Sequence, residues 1–323
     1  MLLAGQRPGK NGRQRSLSGA NTGPTDDLSV RLTLGACRRR ESALMDVVAG
    51  VAKTRNVDAR ELAVRTLLHL PRVARRDGTV GRRLALAEIS RGVRHLSADI
   101  AAIRALVPTR VVDDVSDLRF QVYDDDKAFL VLTHMHYLRS ARPDSTNFAL
   151  VDRRSRLPVA LCSATQLDWQ RVGDRLGRLY GVPFERMWDI SRVYSFDVAP
   201  HNAISMLLGH VRRWFRENRR DAGLLMTTVD PNMGFTGVSY RAANWQRWMQ
   251  VRPRPFIYVN RQYTSPRQLR ARFGTANLDE VRAQPGVTVQ VSSTPLLNSS
   301  IYCCRLRGGT ERIPEDRLPV VRR

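Results

Sequence analysis

Residues 188–229 read WDISRVYSFDVAPHNAISMLLGHVRRWFRENRRDAGLLMTTV, and the fold class turns on this stretch. Trp188 to Phe196 suits an extended strand, which would place Trp188, Ile190, Arg192, Tyr194 and Phe196 on one face. Ala199-Pro200 breaks the pattern and Asn202 is a candidate N-cap. Ile204, Leu207, Leu208, Val211 and Phe215 then recur as the apolar stripe of a helix whose opposite face carries Arg212, Arg213 and Arg216. Leu224 to Val229 has the length and composition of a buried strand. Strand, helix, strand at this spacing implies a parallel pair joined by a crossover, so the chain is read as α/β (α+β) with a mixed sheet flanked by helices.

Working outward, Phe148–Val151 and Val159–Cys162 flank the turn-like Asp152-Arg153-Arg154-Ser155 and predict a hairpin. Downstream, Ser239 to Trp245 predicts a short helix, followed by a strand pair between Arg247 and Val259. From Glu41 to Leu106 apolar residues recur at helical spacing, predicting three or four helices interrupted near Pro71 and Gly78. Residues 1–40 are Gly-, Arg- and Ser-rich without periodicity and predict a disordered basic tail, dispensable for folding. The expected organisation is therefore a tail over 1–40, a helical region over 41–115 and a catalytic domain over 116–275. Strands over 276–323 are expected to complete or flank the sheet.

The formal net charge of +23 favours a polyanionic partner, because a basic surface gains from counterion release on a phosphate backbone. Lys10, Lys53 and Lys127 are the only lysines; a coding bias explains the identity of the cations but not their excess. Double-stranded DNA is the expected partner, bound with little sequence preference. Cys37, Cys162, Cys303 and Cys304 lack metal-ligand spacing and predict buried reduced thiols. His134 and His136 would share a strand face, but two ligands without a third favour hydrogen bonding over metal binding, so no metal is expected. No apolar run approaches membrane-spanning length and no signal peptide is evident, which predicts a cytoplasmic chain with no membrane partner.

In open α/β sheets ligands bind beyond the carboxyl ends of parallel strands, which directs attention to the loops after Phe196 and Val229. The first places His201 and Asn202 at a helix N-terminus, suited to an anion such as a pyrophosphate. The second carries Gly234 and Gly237, which permit close backbone approach to a ligand.

The segment Val229-Asp230-Pro231-Asn232-Met233-Gly234-Phe235-Thr236-Gly237-Val238-Ser239-Tyr240-Arg241-Ala242-Ala243-Asn244-Trp245 resembles the Asp-Pro, Gly, Gly, Tyr-x-Ala-x-Asn-Trp signature of the Mom family of DNA modification proteins. His136-Tyr137-Leu138-Arg139-Ser140 resembles that family's His-Tyr element, and Ile190-Ser191-Arg192-Val193 with Asn202-Ala203-Ile204-Ser205 its Ser-Arg strand and Asn-x-x-Ser helix start. The resemblance runs from about Val131 to Tyr263. It implies a divergent GNAT-like fold with a splayed central sheet that admits an acyl-CoA arm, and an activity that converts adenine in DNA to an N6-carbamoylmethyl form. It also implies catalytic positions at Arg192, Asp230, Tyr240 and Tyr137. Cofactor-binding positions for acetyl-CoA or a related acyl-CoA are expected at Val193, Ser195, His201, Asn202 and Ser205. The loop before Asn202 departs from GNAT proteins at large in lacking a Gly-rich pyrophosphate turn.

The chemistry agrees with those roles. The exocyclic amine of adenine is a weak nucleophile, so a carboxylate such as Asp230 would orient it and accept a proton, while Tyr240 would protonate a departing thiolate. Arg192 on an apolar face needs a partner or an anionic ligand. An Arg192–Asp230 ion pair with Tyr240 as a core residue is the structural alternative. DNA contacts are expected from Arg241, Asn244, Trp245, Arg247, Arg252 and Arg254, and a wall for a flipped base from Trp245, Trp248, Phe256 and Tyr258. Two rival functions stand beside this one. The first is a GNAT-like acyltransferase acting on a protein or small-molecule amine. The second is a non-enzymatic DNA-binding or phage-defence component, since Tyr240-Arg241-Ala242-Ala243-Asn244-Trp245 also resembles proteins of the Druantia defence system.

Overall fold

The computed structural model describes residues 48–57, 59, 62–63, 82–136, 138, 140–231, 235–254, 257–260, 262–291, 297–309 and 313–321. The basic tail, the helix break at Pro71 to Gly78, Cys37, Tyr137, Arg139, Gly234 and Phe256 lie outside the described residues.

The strands are β1 (Leu118–Val122), β2 (Thr146–Asp152), β3 (Pro158–Gln166), β4 (Met187–Ser195), β5 (Leu224–Val229), β6 (Gln246–Val251), β7 (Ile257–Val259), β8 (Gln262–Tyr263), β9 (Val289–Val291), β10 (Ser299–Arg305) and β11 (Val320–Val321). Eight of them form one mixed sheet in the order β1-β2-β3-β4-β5-β10-β6-β11, and a second sheet has the order β8-β7-β9. The helices used below are α1 (Arg82–Ala102), α2 (Asp125–His134), α3 (Gln170–Tyr180), α4 (Ala203–Asn218), α5 (Val238–Ala242), α6 (Pro266–Phe273) and α7 (Leu278–Arg282).

The hairpin predicted around Asp152 is present as β2 and β3, with the Asp152 carboxylate accepting from the backbone N–H of Arg154 and Ser155. The crossover is present too: β4 and β5 run parallel, joined by α4. One face of the large sheet buries Phe148, Leu150, Cys162, Trp188 and Ile190 under the α4 stripe of Leu207, Leu208, Val211 and Phe215. Its rings interlock, with Phe215 edge-on to Trp188 at 5.1 Å and Trp214 edge-on to Phe148 at 4.9 Å. Burying each such ring contributes about 2–3 kcal/mol. On the other face, α1 and α2 cover Ala149, Val151, Leu161, Tyr194 and Phe196, and α3 covers Leu224, Met226, Trp248 and Ile301.

Three sequence expectations need correction. Trp188, Ile190, Arg192, Tyr194 and Phe196 do not share a face. The register against β3 jumps from Ser163↔Arg192 to Ala164↔Ile190, so Ser191 is an extra residue, and a one-residue bulge sends Tyr194 and Phe196 to the face opposite Trp188 and Ile190. His134 and His136 do not lie on a strand. Asp124 caps α2 by accepting from the Lys127 N–H at 2.9 Å, and His134 is that helix's last residue. The strand pair expected between Arg247 and Val259 is split: β6 joins the large sheet against β10, while β7 joins the second sheet.

The second sheet, α6 and α7 lie between β6 and β10 in the chain and share a core of Val259, Leu269 and Val281. This module straddles the boundary expected at 275/276, and β10 and β11 return to the large sheet after it. Cys162, Cys303 and Cys304 are buried and free, and burial pushes their thiols up. Among the described residues no helix is long and apolar enough to cross a membrane.

Candidate active site

β4 and β5 exchange pairing only over Met187↔Leu224, Trp188↔Leu225 and Asp189↔Met226, and beyond that point they part. At the fork the Thr227 hydroxyl donates to the Ile190 carbonyl at 2.9 Å, a side-chain bond where a ladder bond would otherwise close the strands. The opening is a cleft of about 310 Å³. Ser191, Val193 and Ser195 line it from β4, Thr228 and Val229 from β5, and Ile204 from the first turn of α4. His136 enters from the segment after α2, and residues 235–240 close the far side.

The β4 wall is built around Arg192. Its Nε donates to the Ser140 carbonyl at 2.7 Å, one terminal nitrogen to the Ser140 hydroxyl at 2.9 Å, and the other to the Ser191 carbonyl at 2.6 Å. His136 is buried and lines the cleft; its Nδ1 accepts from the Leu138 N–H at 3.2 Å. Burial, reinforced by the Arg192 charge, holds its pKa well below the usual histidine value, so the ring is neutral at pH 7 with its proton on Nε2. Below the fork, burial pushes the Asp189 carboxyl up to about 6, opposed by the Arg142 and Arg192 charges. Arg142 bridges Asp189, at 3.2 Å, and Asp168.

The opposite wall is aromatic. Tyr240 lines the cleft from α5, stacked on Tyr302 of β10 at 5.8 Å and edge-on to Trp245 at 5.6 Å. Gly237 starts α5 with φ +72, and a Cβ there would lie 2.6 Å from the Tyr302 ring. Only glycine meets both demands. Arg241 reaches back over this contact, donating to the Tyr302 hydroxyl at 2.9 Å and the Thr236 carbonyl at 3.0 Å.

Of the residues singled out from sequence, Tyr240, Val193 and Ser195 line the cleft. Arg192 stands beside it through Ser191, and Asp230 directly follows the lining residue Val229. His201, Asn202 and Ser205 sit at the start of α4 next to Ile204. Asn202 occupies the N-cap position in a left-handed conformation, φ 69, and its side chain makes no capping bond; instead the Ser205 hydroxyl donates to the Asn202 carbonyl at 2.9 Å. Arg241, Asn244, Arg252 and Arg254 are exposed, Arg247 is half-buried on β6, and Trp245 is buried beneath Tyr240. Trp248 and Tyr258 are buried and do not line the cleft: Trp248 packs under α3 and Tyr258 lies in the second sheet.

Ser140, Ser191, Thr227, Asp189 and Tyr302 carry the architecture of the site without having been assigned roles from sequence. An Asp on an apolar strand three residues from an Arg is a usable signal for Asp189. Tyr302 offered none, because it arrives from β10, beyond the second sheet.

The Mom protein family model matches residues 117–298, from the turn before β1 to the threshold of β10. The chain belongs to the Mom family. Within that family match lie the fork, both walls apart from Tyr302, and the small second sheet. No curated protein sequence matches the chain. Among solved structures it is similar to a protein described as an acetyltransferase from Sphaerobacter thermophilus DSM 20745, at 10% identity over 58% of this chain and 93% of that one, with a TM-score of 0.29. It is also similar to one described as a phosphinothricin N-acetyltransferase, at 9% identity over 59% of this chain and 99% of that one, with a TM-score of 0.30. At these values neither bears on activity. Among the described residues no group of His, Cys, Asp and Glu is placed to hold a metal ion.

Proposed function

We propose that the chain is a DNA-modifying transferase that places a small acyl-derived, carbamoylmethyl-like group on the N6 amine of adenine in DNA, with acetyl-CoA or a related acyl-CoA as donor. The observation that carries this reading is the fork. Segments separated in sequence but named together by the family resemblance, around His136, Arg192, Asn202 and Tyr240, converge on one opening between β4 and β5.

The residues present fit a thioester arm. Ile190, Val193, Val229 and Ile204 offer an apolar channel, while the Thr228 and Ser195 hydroxyls and the start of α4 supply polar contacts. A bound acyl-CoA would supply a thioester carbonyl for N6 to attack and a thiolate to leave, which balances as N6 acylation; a carbamoylmethyl product, in which N6 bonds a methylene and the amide nitrogen is new, would draw on an amine donor in a further step. Asp230 orients the adenine amine and takes its proton, and Tyr240, set by two aromatic neighbours, returns a proton to the leaving sulfur. Arg192 holds Ser140 against β4. Exposed Phe235 and Val238 at the mouth suit the face of an unstacked base better than the buried Trp248 or Tyr258.

Mass spectrometry of nucleosides from DNA of cells expressing the chain tests the reading. A modified adenine is expected with the wild type and is absent with the Asp230→Asn, Tyr240→Phe double variant. An unmodified adenine pool in the wild-type sample would sink it.

A further inference from the structure

α3 is sharply amphipathic. Val172, Gly173 and Leu176 face the core, and Arg171, Arg175 and Arg178 recur at positions i, i+4 and i+7. That spacing puts the three guanidinium groups in one line along the helix. With Asp174 between them, they line a groove of about 360 Å³ against the edge strand β11, at Val320 and Val321.

Several of the other described arginines are engaged. Arg110 pairs with Asp117, Arg142 with Asp168 and Asp189, Arg219 with Asp221 and Arg282 with Asp279, while Arg216, Arg305 and Arg307 donate to backbone carbonyls. Arg171, Arg175 and Arg178 make no ion pair or hydrogen bond among the described residues. The carboxylate set among them, Asp174, is taken by the Gln170 amide at 2.7 Å. Asp174 is the single carboxylate lining the groove with three aligned guanidinium groups, so the face stays net positive, and nothing in the apolar packing of α3 requires that excess.

We propose that α3 and the β11 edge form a second anion-binding groove, separate from the cleft, that holds the phosphodiester backbone of duplex DNA. The stripe runs roughly 10 Å along the helix axis; successive phosphates of one strand rise about 3.4 Å along the duplex axis while turning about it and lie about 7 Å apart through space, so the stripe with the reach of its arginine side chains covers about three of them. Contacts of this kind carry no sequence information and set position and residence on the duplex. The groove deepens the DNA-modifying reading, on which it rests for the identity of its partner.

The test uses the full chain and a duplex of arbitrary sequence, with equilibrium binding measured across a salt series. The Arg171→Gln, Arg175→Gln, Arg178→Gln variant is compared with Arg153→Gln, Arg154→Gln, Arg156→Gln, which removes the same charge from the exposed β2–β3 turn. Loss of three phosphate contacts is expected to lower the slope of log affinity against log salt by about 2.7 in the α3 variant. Its loss of affinity between about 50 and 200 mM salt is then about 40-fold smaller than that of the wild type. The turn variant should change the slope by less than about one. Equal slopes for the two variants, or an α3 slope matching wild type, would overturn the groove while leaving the cleft reading intact. A wild-type chain that binds no duplex would overturn both. Circular dichroism of each variant confirms the fold independently of binding.

Discussion

Along β4 the cleft wall is fixed by charge: Arg192 directs its nitrogens to Ser140 and Ser191, with neutral His136 and buried Asp189 beside it. Along α5 the facing wall is fixed by rings, with Tyr240 held between Tyr302 and Trp245 and Gly237 letting the backbone touch Tyr302. A hydrogen-bonded cation loses several partners at once when removed, whereas a packed phenol can lose its hydroxyl and keep its place. The two walls should therefore separate structural from chemical effects under mutation.

The largest effect is expected on the aromatic wall. Tyr240→Phe keeps the ring stack and removes only the hydroxyl proposed as the acid, so modified-adenine yield should fall on the order of 10²-fold with the thermal midpoint nearly unchanged. Asp230→Asn should behave alike, retaining DNA affinity. If Asp230 instead serves as a structural partner of Arg192, its Asn variant loses stability and Tyr240→Phe is silent, and calorimetry alongside nucleoside analysis tells these apart. On the charged wall, Arg192→Met strands the Ser140 and Ser191 carbonyls and should lower stability by about 3 kcal/mol, seen as a drop in the urea midpoint. That stability loss should accompany any loss of activity, unlike the Tyr240 variant. Gly237→Ala crosses the two classes. Its left-handed φ and the Tyr302 contact should cost about 1–3 kcal/mol and displace the stacking partner of Tyr240, so both readouts fall together.

Asp189 gives a pH signature. Its folded pKa, near 6, lies above the ordinary carboxylate value, so between about pH 4 and 6 the folded protein holds a proton that the unfolded chain has released. Its contribution to stability is present at the acid end of that window and is lost as pH rises through 6. Buried His136 and half-buried His210, both shifted down, act with the opposite sign as pH falls below their unfolded values. They cancel in the difference between wild type and Asp189→Asn, whose unfolding free energies should diverge in slope only within the window. Parallel curves would rule out a protonated Asp189. The smallest effect is at the fork, where Thr227→Val removes one buried hydrogen bond to Ile190 and should cost about 1 kcal/mol in thermal or denaturant unfolding.

Much of this was legible in the sequence, because β4, α4, β5 and the β2–β3 hairpin obey local periodicity and turn chemistry. The Ser191 bulge was not. An inserted residue leaves the apolar alternation intact on both sides and merely exchanges its faces, so the alternation puts Arg192 on one face with both Trp188 and Tyr194, whereas only Tyr194 shares its side. His134 and His136 alternate as strand residues would, but the Asp124 cap upstream starts a helix that runs through His134. The site's dependence on Tyr302 lay beyond any local signal. It follows from β10 inserting between β5 and β6, a choice made by long-range pairing.

That insertion has a consequence for biosynthesis. β5 leaves its open edge without a ladder partner until Ser299–Arg305 has been made, after the whole second module has emerged. The nascent chain thus passes through a stage with an exposed apolar strand and an unfinished cleft, the situation in which strands of neighbouring chains pair wrongly. Shortened chains that stop after β9 should accumulate as aggregates rather than as soluble fragments, so a strand synthesised late, β10, decides whether the rest of the molecule can be used.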